Sequence, residues 1–323
     1  MRKRKWLAVG LAVCLLLAGL SGCAGQQRQL RVTLVLKTVT EVAEFWGTLL
    51  SGVEKAAAEY GVELKVLTAP REVDIDEQIE LIRQTVAEKP DVMILSAADY
   101  DRCAEATEEA IAAGIGVVAV DTDVNAAGRA CFVGSNNYEV GLEMGRAMAS
   151  YLPEGGKVAV IQHMLTTTTG IDRTRGVIDA LTKAGNIEIL GSFCCDNSTD
   201  RAQSLTKELL EQTPDISGFV CTNEVCNVGA ANALVELGMG GKVFVVGCDN
   251  SQRQIAFLEQ NIIQAIVTQR PFNMGYIAVQ QAVEVASGEK TADFVEVPCV
   301  LITRENMYTQ ENQKLLFPLT GES

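Results

Sequence analysis

Short apolar runs recur along this chain, each followed by a segment with apolar side chains at helical spacing. The clearest run is Gly116–Asp123 (GVVAVDTD), four apolar residues, valine-rich, ending abruptly in Asp-Thr-Asp. With no polar alternation, such a run predicts a strand buried on both faces, as in a parallel sheet covered by helices. The first half predicts strands at Arg31–Leu36, Val62–Leu67, Val92–Leu95 and Ala130–Gly134 besides the Asp121 strand. Between them lie helices over Glu44–Tyr60, closed by Gly61, over Asp74–Glu88, with Ile75, Ile79, Ile82 and Val86 on one face, and over Arg102–Ala113. The second half predicts strands at Lys157–Gln162, Ile187–Phe193, Gly218–Cys221, Val243–Gly247 and Ile263–Thr268. Its helices are Arg173–Ala184, Thr199–Gln212, Val225–Leu237 and Gln252–Glu259. Strands alternating with helices of about ten to fifteen residues define an α/β protein with doubly wound parallel sheets.

The strand ends carry the chemistry. Val243–Asn250 (VFVVGCDN) repeats the earlier pattern, an apolar run ending in Asp249 as the first ends in Asp121. In open α/β sheets, ligands bind at the carboxyl edge of the strands. Two strand-end aspartates therefore predict two lobes facing one another across a ligand. The length of 323 residues agrees with two domains.

The N-terminus is read as a targeting segment. Arg2, Lys3, Arg4 and Lys5 precede the apolar run Trp6–Leu20, which is too short for a stable membrane span. The run ends in Leu20-Ser21-Gly22-Cys23, which resembles the lipobox of bacterial lipoproteins. That resemblance implies a signal peptide over 1–22, cleavage before Cys23 and lipidation of its thiol. Residues 23–29 would form a lipidated tether. The expectation is an exported protein held by an N-terminal lipid on the outer face of the cell membrane or in the periplasm. A plain secretory signal is the alternative.

Charge and cysteine content narrow the classes further. The formal net charge is −14, and no basic block stands outside the first five residues. Phosphate recognition needs clustered Lys and Arg, so nucleic acid is excluded as a partner. Of ten cysteines, Cys14 and Cys23 belong to the targeting segment, leaving 103, 131, 194, 195, 221, 226, 248 and 299. Most lie in or beside apolar strands, which favours buried free thiols. Disulfides remain open for an exported chain. A metal site is disfavoured, because no pair spacing matches a zinc motif and His163 is the single histidine.

Six motifs, in order, carry a family resemblance. They are Phe45-Trp46 before a helix, Val120-Asp121 at a strand end, Arg173-Thr174-Arg175-Gly176, Thr222-Asn223-Glu224, Val246-Gly247-Cys248-Asp249 and Thr268-Gln269-Arg270-Pro271. Their order and spacing resemble the ribose/galactose (type I) periplasmic sugar-binding proteins of ABC transporters, in lipoprotein form, from Leu30 to the C-terminus. The resemblance implies three crossings between lobes, near Gly134, Gln269–Pro271 and Val297–Cys299. The N-terminal lobe would be 30–134 plus 271–298, and the C-terminal lobe 135–269 plus 299–323. Pro271 fits a segment leaving a sheet, because it cannot donate to a ladder.

A sugar's hydroxyls suit this set. Charged groups forking onto vicinal hydroxyls form charge-assisted hydrogen bonds, each contributing about 1.5–3 kcal/mol net in a closed site. Asp121 and Asp249 would accept, Arg173 would donate, Asn223 and Gln269 would do both, and the rings of Phe45 and Trp46 would cover apolar sugar faces. Each also has a plainer reading. The aspartates are then loop acids, Arg173 a first-turn surface residue, Asn223 the cap of the next helix, Gln269 a hinge residue and the aromatic pair ordinary core. The Thr166–Thr169 run reads as a polar loop at the second lobe's strand edge, and His163 as a strand-end residue without a role. The chain departs from the ribose pattern at Ala43-Glu44, Thr122 and Thr199, which widens the implied ligand to other pentoses, hexoses, polyols or modified sugars.

The expected function is capture of a sugar or polyol between the lobes and delivery to the membrane permease of an ABC importer, by a monomer without cofactor or metal. The alternative is a ligand-sensing partner of a membrane kinase or chemoreceptor using the same cleft. An enzyme is not expected, since neither GxSxG nor a strand-following GxGxxG occurs.

Overall fold

Strands too apolar to meet water on either face must be covered on both, and this requirement builds the molecule twice. The computed structural model describes residues 28–38 and 44–317. The targeting segment and Cys23 lie outside these residues. The first half runs β1 (Arg31–Leu36), α1 (Glu44–Tyr60), β2 (Glu63–Thr68), α2 (Ile75–Glu88), β3 (Val92–Leu95), α3 (Ala104–Ala112), β4 (Gly116–Val120) and β5 (Cys131–Gly134). It continues with α4 (Asn137–Tyr151), β6 (Gly156–Gln162), α5 (Thr168–Ala184), β7 (Ile187–Cys194), α6 (Thr199–Gln212) and β8 (Ile216–Cys221). Then come α7 (Glu224–Glu236), β9 (Phe244–Cys248), α8 (Gln252–Glu259) and β10 (Ala265–Thr268). The chain ends through α9 (Pro271–Ala286), β11 (Phe294–Glu296), β12 (Val300–Thr303) and α10 (Gln310–Leu316).

Two six-stranded sheets result. The first has the order β2-β1-β3-β4-β5-β11 and is parallel throughout. The second has the order β7-β6-β8-β9-β10-β12, parallel except for antiparallel β12 on β10. In each, the first strand lies between the second and third, so the sheet has a switch point beside β1 or β6. The α/β class with two doubly wound lobes, expected from the alternation, is the architecture found. Late in the chain β11 pairs with β5 while β12 pairs with β10, so the polypeptide passes between the sheets there.

The structure adds elements that periodicity alone did not reveal. Helix α4 contains Gly141 and Gly145, which interrupt its apolar stripe, and α9 starts with Pro at its first turn. Helix α5 begins at Thr168, not at Arg173, and the threonine run expected as a loop forms its start. Thr167 is the N-cap, its hydroxyl accepting from Gly170 N at 3.2 Å. Arg173 consequently stands in the second turn, aimed inward, and not at an exposed helix tip.

Its position depends on a close helix crossing. A Cβ at Gly141 would lie 2.1 Å from the Arg173 carbonyl oxygen, and one at Gly176 2.3 Å from the Tyr138 carbonyl oxygen. Backbone contacts this near cannot yield, so Gly141→Ala must push α5 outward. The expected result is a loss of about 1–3 kcal/mol, as for other overpacked sites, read as a lower melting temperature. An unchanged melting temperature would show that the crossing tolerates a methyl group.

Candidate functional site

The carboxyl edges of the two sheets face one another, and the residues immediately after the strands enclose a cavity. It is lined by Lys37 after β1, Asp121 after β4, His163 after β6, Asn197 after β7, Asn223 after β8, Asp249 after β9 and Gln269 after β10. Phe45 and Trp46 from α1, Glu72, Thr169 and Arg173 from α5, and Glu224 and Val225 from α7 complete it. All seven residues singled out in the sequence, Phe45, Trp46, Asp121, Arg173, Asn223, Asp249 and Gln269, thus meet at one place. A larger space of about 390 Å³ alongside shares Phe45, Glu224 and Asp249 with this cavity.

The two aspartates occupy matching positions. Both have left-handed backbone, with φ of 63° at Asp121 and 75° at Asp249. Asp is one of the few side chains that tolerate this region, at a local cost of about 1–3 kcal/mol. Each amide donates to the next strand over, Asp121 to Val133 O and Asp249 to Val267 O, both at 3.0 Å. The turn so fixed lifts each carboxylate off its sheet edge. Gln269 Nε2 donates to Asp249 Oδ1 at 2.6 Å, and Glu224 N donates to Asp249 Oδ2 at 3.0 Å.

Arg173 is 2% exposed. Its Nε donates to Asn137 Oδ1 and its Nη1 to the Thr222 carbonyl, both at 2.9 Å. Of a guanidinium's five donors the other three make no hydrogen bond among the described residues. Asn223 does two things at once: its Oδ1 caps α7 by accepting from Cys226 N at 3.0 Å, and its Nδ2 donates to Asn197 Oδ1 at 2.8 Å. Trp46 is buried and belongs to the first lobe's core, while Phe45 is half-buried, meeting it edge to face at 5.1 Å.

Sequence reasoning missed several wall residues. Lys37 Nζ lies 2.8 Å from Glu72 Oε1, 3.5 Å from Asp121 Oδ2, and 5.6 Å from the Trp46 ring centre. Burial lowers the Lys37 ammonium, but Glu72 and Asp121 more than reverse this and hold it above its ordinary value. Burial pushes the Asp121 carboxyl up, against the pull of Lys37 and Arg173. His163 bonds through both ring nitrogens, Nδ1 to Thr222 Oγ1 at 2.7 Å and Nε2 to Thr169 Oγ1 at 3.1 Å. Burial, then Lys37 and Arg173, hold it well below its usual range, so it is neutral at pH 7. Lys37 and His163 directly follow apolar strands, the signal that marked the aspartates. Glu72 sits in an irregular loop with no such signal.

Contacts between the sheets' edges surround the cavity. Asn197 Nδ2 donates to Glu72 Oε2 at 2.7 Å, and Asp123 N donates to Thr168 Oγ1 at 3.1 Å. Tyr100 N donates to the Thr166 carbonyl at 3.0 Å, and Gln252 N to Glu44 Oε1 at 3.2 Å. The lobes therefore stand closed upon each other.

Glu224 is the anomalous wall residue. It is buried, and its Oε2 has no hydrogen-bond partner among the described residues. Burial, then the Asp249 carboxylate, push its acid up to about 8. The folded protein thus keeps a proton there that the unfolded chain releases above its ordinary carboxylate pKa, about 4.5. This contribution to stability is fully present below that pKa and is lost as pH rises through about 8, with a slope of up to about 1.4 kcal/mol per pH unit in between. Glu224→Gln, a permanently neutral copy, is expected to flatten this slope and to melt higher than the parent above pH 8. Parallel melting curves from pH 5 to 9 for both proteins would contradict the assignment.

Two doubly wound lobes closed over a polar cavity at their facing strand ends define the class of the type I periplasmic binding proteins. The family profile described as "Periplasmic binding protein domain" matches residues 33–290, and the chain belongs to this family. Among curated proteins it is 26% identical over 285 residues to the D-allose-binding periplasmic protein of Escherichia coli strain K12, covering 84% of this chain and 91% of that protein. It is 26% identical over 314 residues to the D-ribose/D-allose-binding protein of Pseudomonas aeruginosa, covering 93% and 98%. A sugar transporter structure from Clostridium phytofermentans is 31% identical, with a TM-score of 0.80 over 85% of this chain and 99% of that one. A carbohydrate transporter solute-binding protein from Agrobacterium radiobacter shares the fold, with a TM-score of 0.86 at 23% identity over 90% and 100%.

Proposed function

We propose that this protein captures a sugar or polyol between its lobes and delivers it to the membrane permease of an ABC importer. The observation that carries the reading is the closed cavity in which paired charges and amides surround two aromatic rings, an array matched to a ring with many hydroxyls and apolar faces. Asp121 and Asp249 accept, Arg173 donates, Asn223 and Gln269 do both, and Phe45 and Trp46 cover the ring. Lys37, Glu72, Asn197 and protonated Glu224 add contacts of the same kind. The family and the sugar-binding names of its relatives support this. The import names borne by several relatives, such as the ribose import binding protein of Bacillus subtilis, favour an importer over a sensor partner.

In this reading the protein binds and does not catalyse, in keeping with the binding-protein names of its relatives. Residues 30–134 with 271–298 are assigned to one lobe and 135–269 with 299–323 to the other, 39–43 and 318–323 lying outside the described residues. The pairing of β11 with β5 and of β12 with β10 supports that division. Ser135 Oγ donates to the Val297 carbonyl at 3.0 Å, tying two of the crossings together as a hinge. Cleavage before Cys23 and its lipidation anchor a monomer outside the cell membrane. The lipobox-like Leu20–Cys23 supports this part, and a mass measurement of the mature N-terminus tests it.

The test of function uses composition. Once the signal is removed, Trp46 is the single tryptophan. Its emission is to be followed while the mature protein is titrated with pentoses, hexoses, polyols and nucleosides. A saturable shift with one sugar class is expected. Silence across the panel, with the protein shown folded, would overturn the sugar reading.

A further inference from the structure

Away from the ion pairs and hydroxyls of the cleft, the second lobe holds a pair of thiols that ligand capture does not use. Cys195 lies in the turn between β7 and α6, and Cys226 in the first turn of α7. Their sulfurs are 3.4 Å apart, and both residues are fully buried in that lobe's core. The eight cysteines among the described residues are free. We propose that Cys195 and Cys226 are a redox-modification site that closes to a disulfide and ties the β7–α6 turn to the start of α7.

The geometry needs little adjustment. A disulfide bond is about 2.05 Å long, so the sulfurs must approach by about 1.3 Å, which small side-chain rotations supply. The pair is also polarised. The hydrogen bond from Cys226, then the backbone N–H groups of Ser198 and Asn197 against the effect of burial, draw the Cys195 thiol below its ordinary value. Burial, then Cys195 itself, push Cys226 well above it. Of the two, Cys195 gives up its proton the more readily and becomes the attacking thiolate, at the turn that leads into a helix, a setting that activates thiols. The thiolate attacks a small-molecule disulfide, forming a mixed disulfide and releasing one thiol. Cys226, giving up its proton, then attacks the Cys195 sulfur and releases the second thiol. Two cysteine thiols and one external disulfide thus become one internal disulfide and two external thiols. Because both sulfurs are buried, exchange proceeds as the chain folds.

The bridge bears on the cleft because of what surrounds it. Cys195 is followed by Asp196 and Asn197, both with left-handed backbone at φ 51°. Asn197 accepts from Asn223 and donates across the cleft to Glu72. Asn223 in turn caps the helix that carries Cys226. A covalent link between these two segments holds Asn197 and Asn223 in place whether or not a ligand is present, and so preorganises one wall.

The experiment takes the purified protein through unfolding and refolding with oxidised glutathione, then counts thiols under denaturing conditions and maps the linked peptides. Expected are two fewer free thiols, a mass lower by about 2 Da, a Cys195–Cys226 peptide, and a melting temperature that falls by about 5–10 °C on reduction. C195S and, should that variant fold poorly, C226A are expected to abolish the reductant-sensitive shift, whereas C194S keeps it. An unchanged thiol count, a bridge mapped through half-buried Cys194, or a shift that survives in C195S and C226A would overturn the proposal. None of these readouts depends on which sugar binds.

Discussion

Lys37→Met is expected to destabilise the protein by about 3–5 kcal/mol, the usual cost of removing one partner from a buried ion pair. Glu72 at 2.8 Å and Asp121 at 3.5 Å would both lose their cation in a site from which water is nearly excluded. Melting temperature should drop by about 10 °C, or more if Asp121 cannot draw compensation from Arg173. The double variant Lys37→Met/Glu72→Leu separates two explanations. If the penalty is the stranded carboxylate, removing it restores much of the stability, because buried ion pairs contribute little against apolar replacements. If the double variant is as unstable as the single one, loss of the ammonium from beside the Trp46 ring and Asp121 is the larger contribution. A single variant melting within a degree or two of the parent would sink the ion-pair account altogether.

Arg173→Ala is expected to reduce affinity for the saturating member of the sugar panel by at least 100-fold, about 2.7 kcal/mol. Truncating one member of a buried, hydrogen-bonded charge set typically costs about 2–5 kcal/mol of binding. Here the loss falls on several groups together. Asn137 and the Thr222 carbonyl lose their donor, and Asp121 and Asp249 lose a nearby positive charge. Arg173→Lys is expected to recover only part of the affinity, since an ammonium cannot reach Asn137, Thr222 and a ligand in the fixed fork of a guanidinium. Fluorescence or calorimetric titration beside a melting curve distinguishes lost binding from lost folding. Affinity within about tenfold of the parent in a folded Arg173→Ala protein would remove this residue from the site.

The sequence by itself determined the class of the fold and the strand edge at which the lobes enclose a cavity. Strands such as Gly116–Val120, apolar on both sides, are stable only inside a covered parallel sheet, and a polar residue straight after such a strand emerges at its carboxyl edge. Asp121 and Asp249 were legible for that local reason, because strand and strand end are neighbours in the chain, whereas Asn223 and Gln269 were singled out through the family resemblance of their motifs. By the same rule Lys37 and His163 were readable, yet a lone lysine or histidine at a strand end is ambiguous until its partners are known. Those partners come from afar: Glu72 belongs to a loop beyond β2, and the hydroxyls that hold His163 come from Thr169 and Thr222. Helices α4 and α9 were hidden because their glycines serve close packing, as Gly141 does against the Arg173 carbonyl, and break the apolar stripe that periodicity detects. Only the tertiary structure decided that α5 begins at a threonine cap, turning Arg173 inward, and that Cys195 meets Cys226. These outcomes depend on which distant segments come within a few ångströms, and local pattern carries no record of distance.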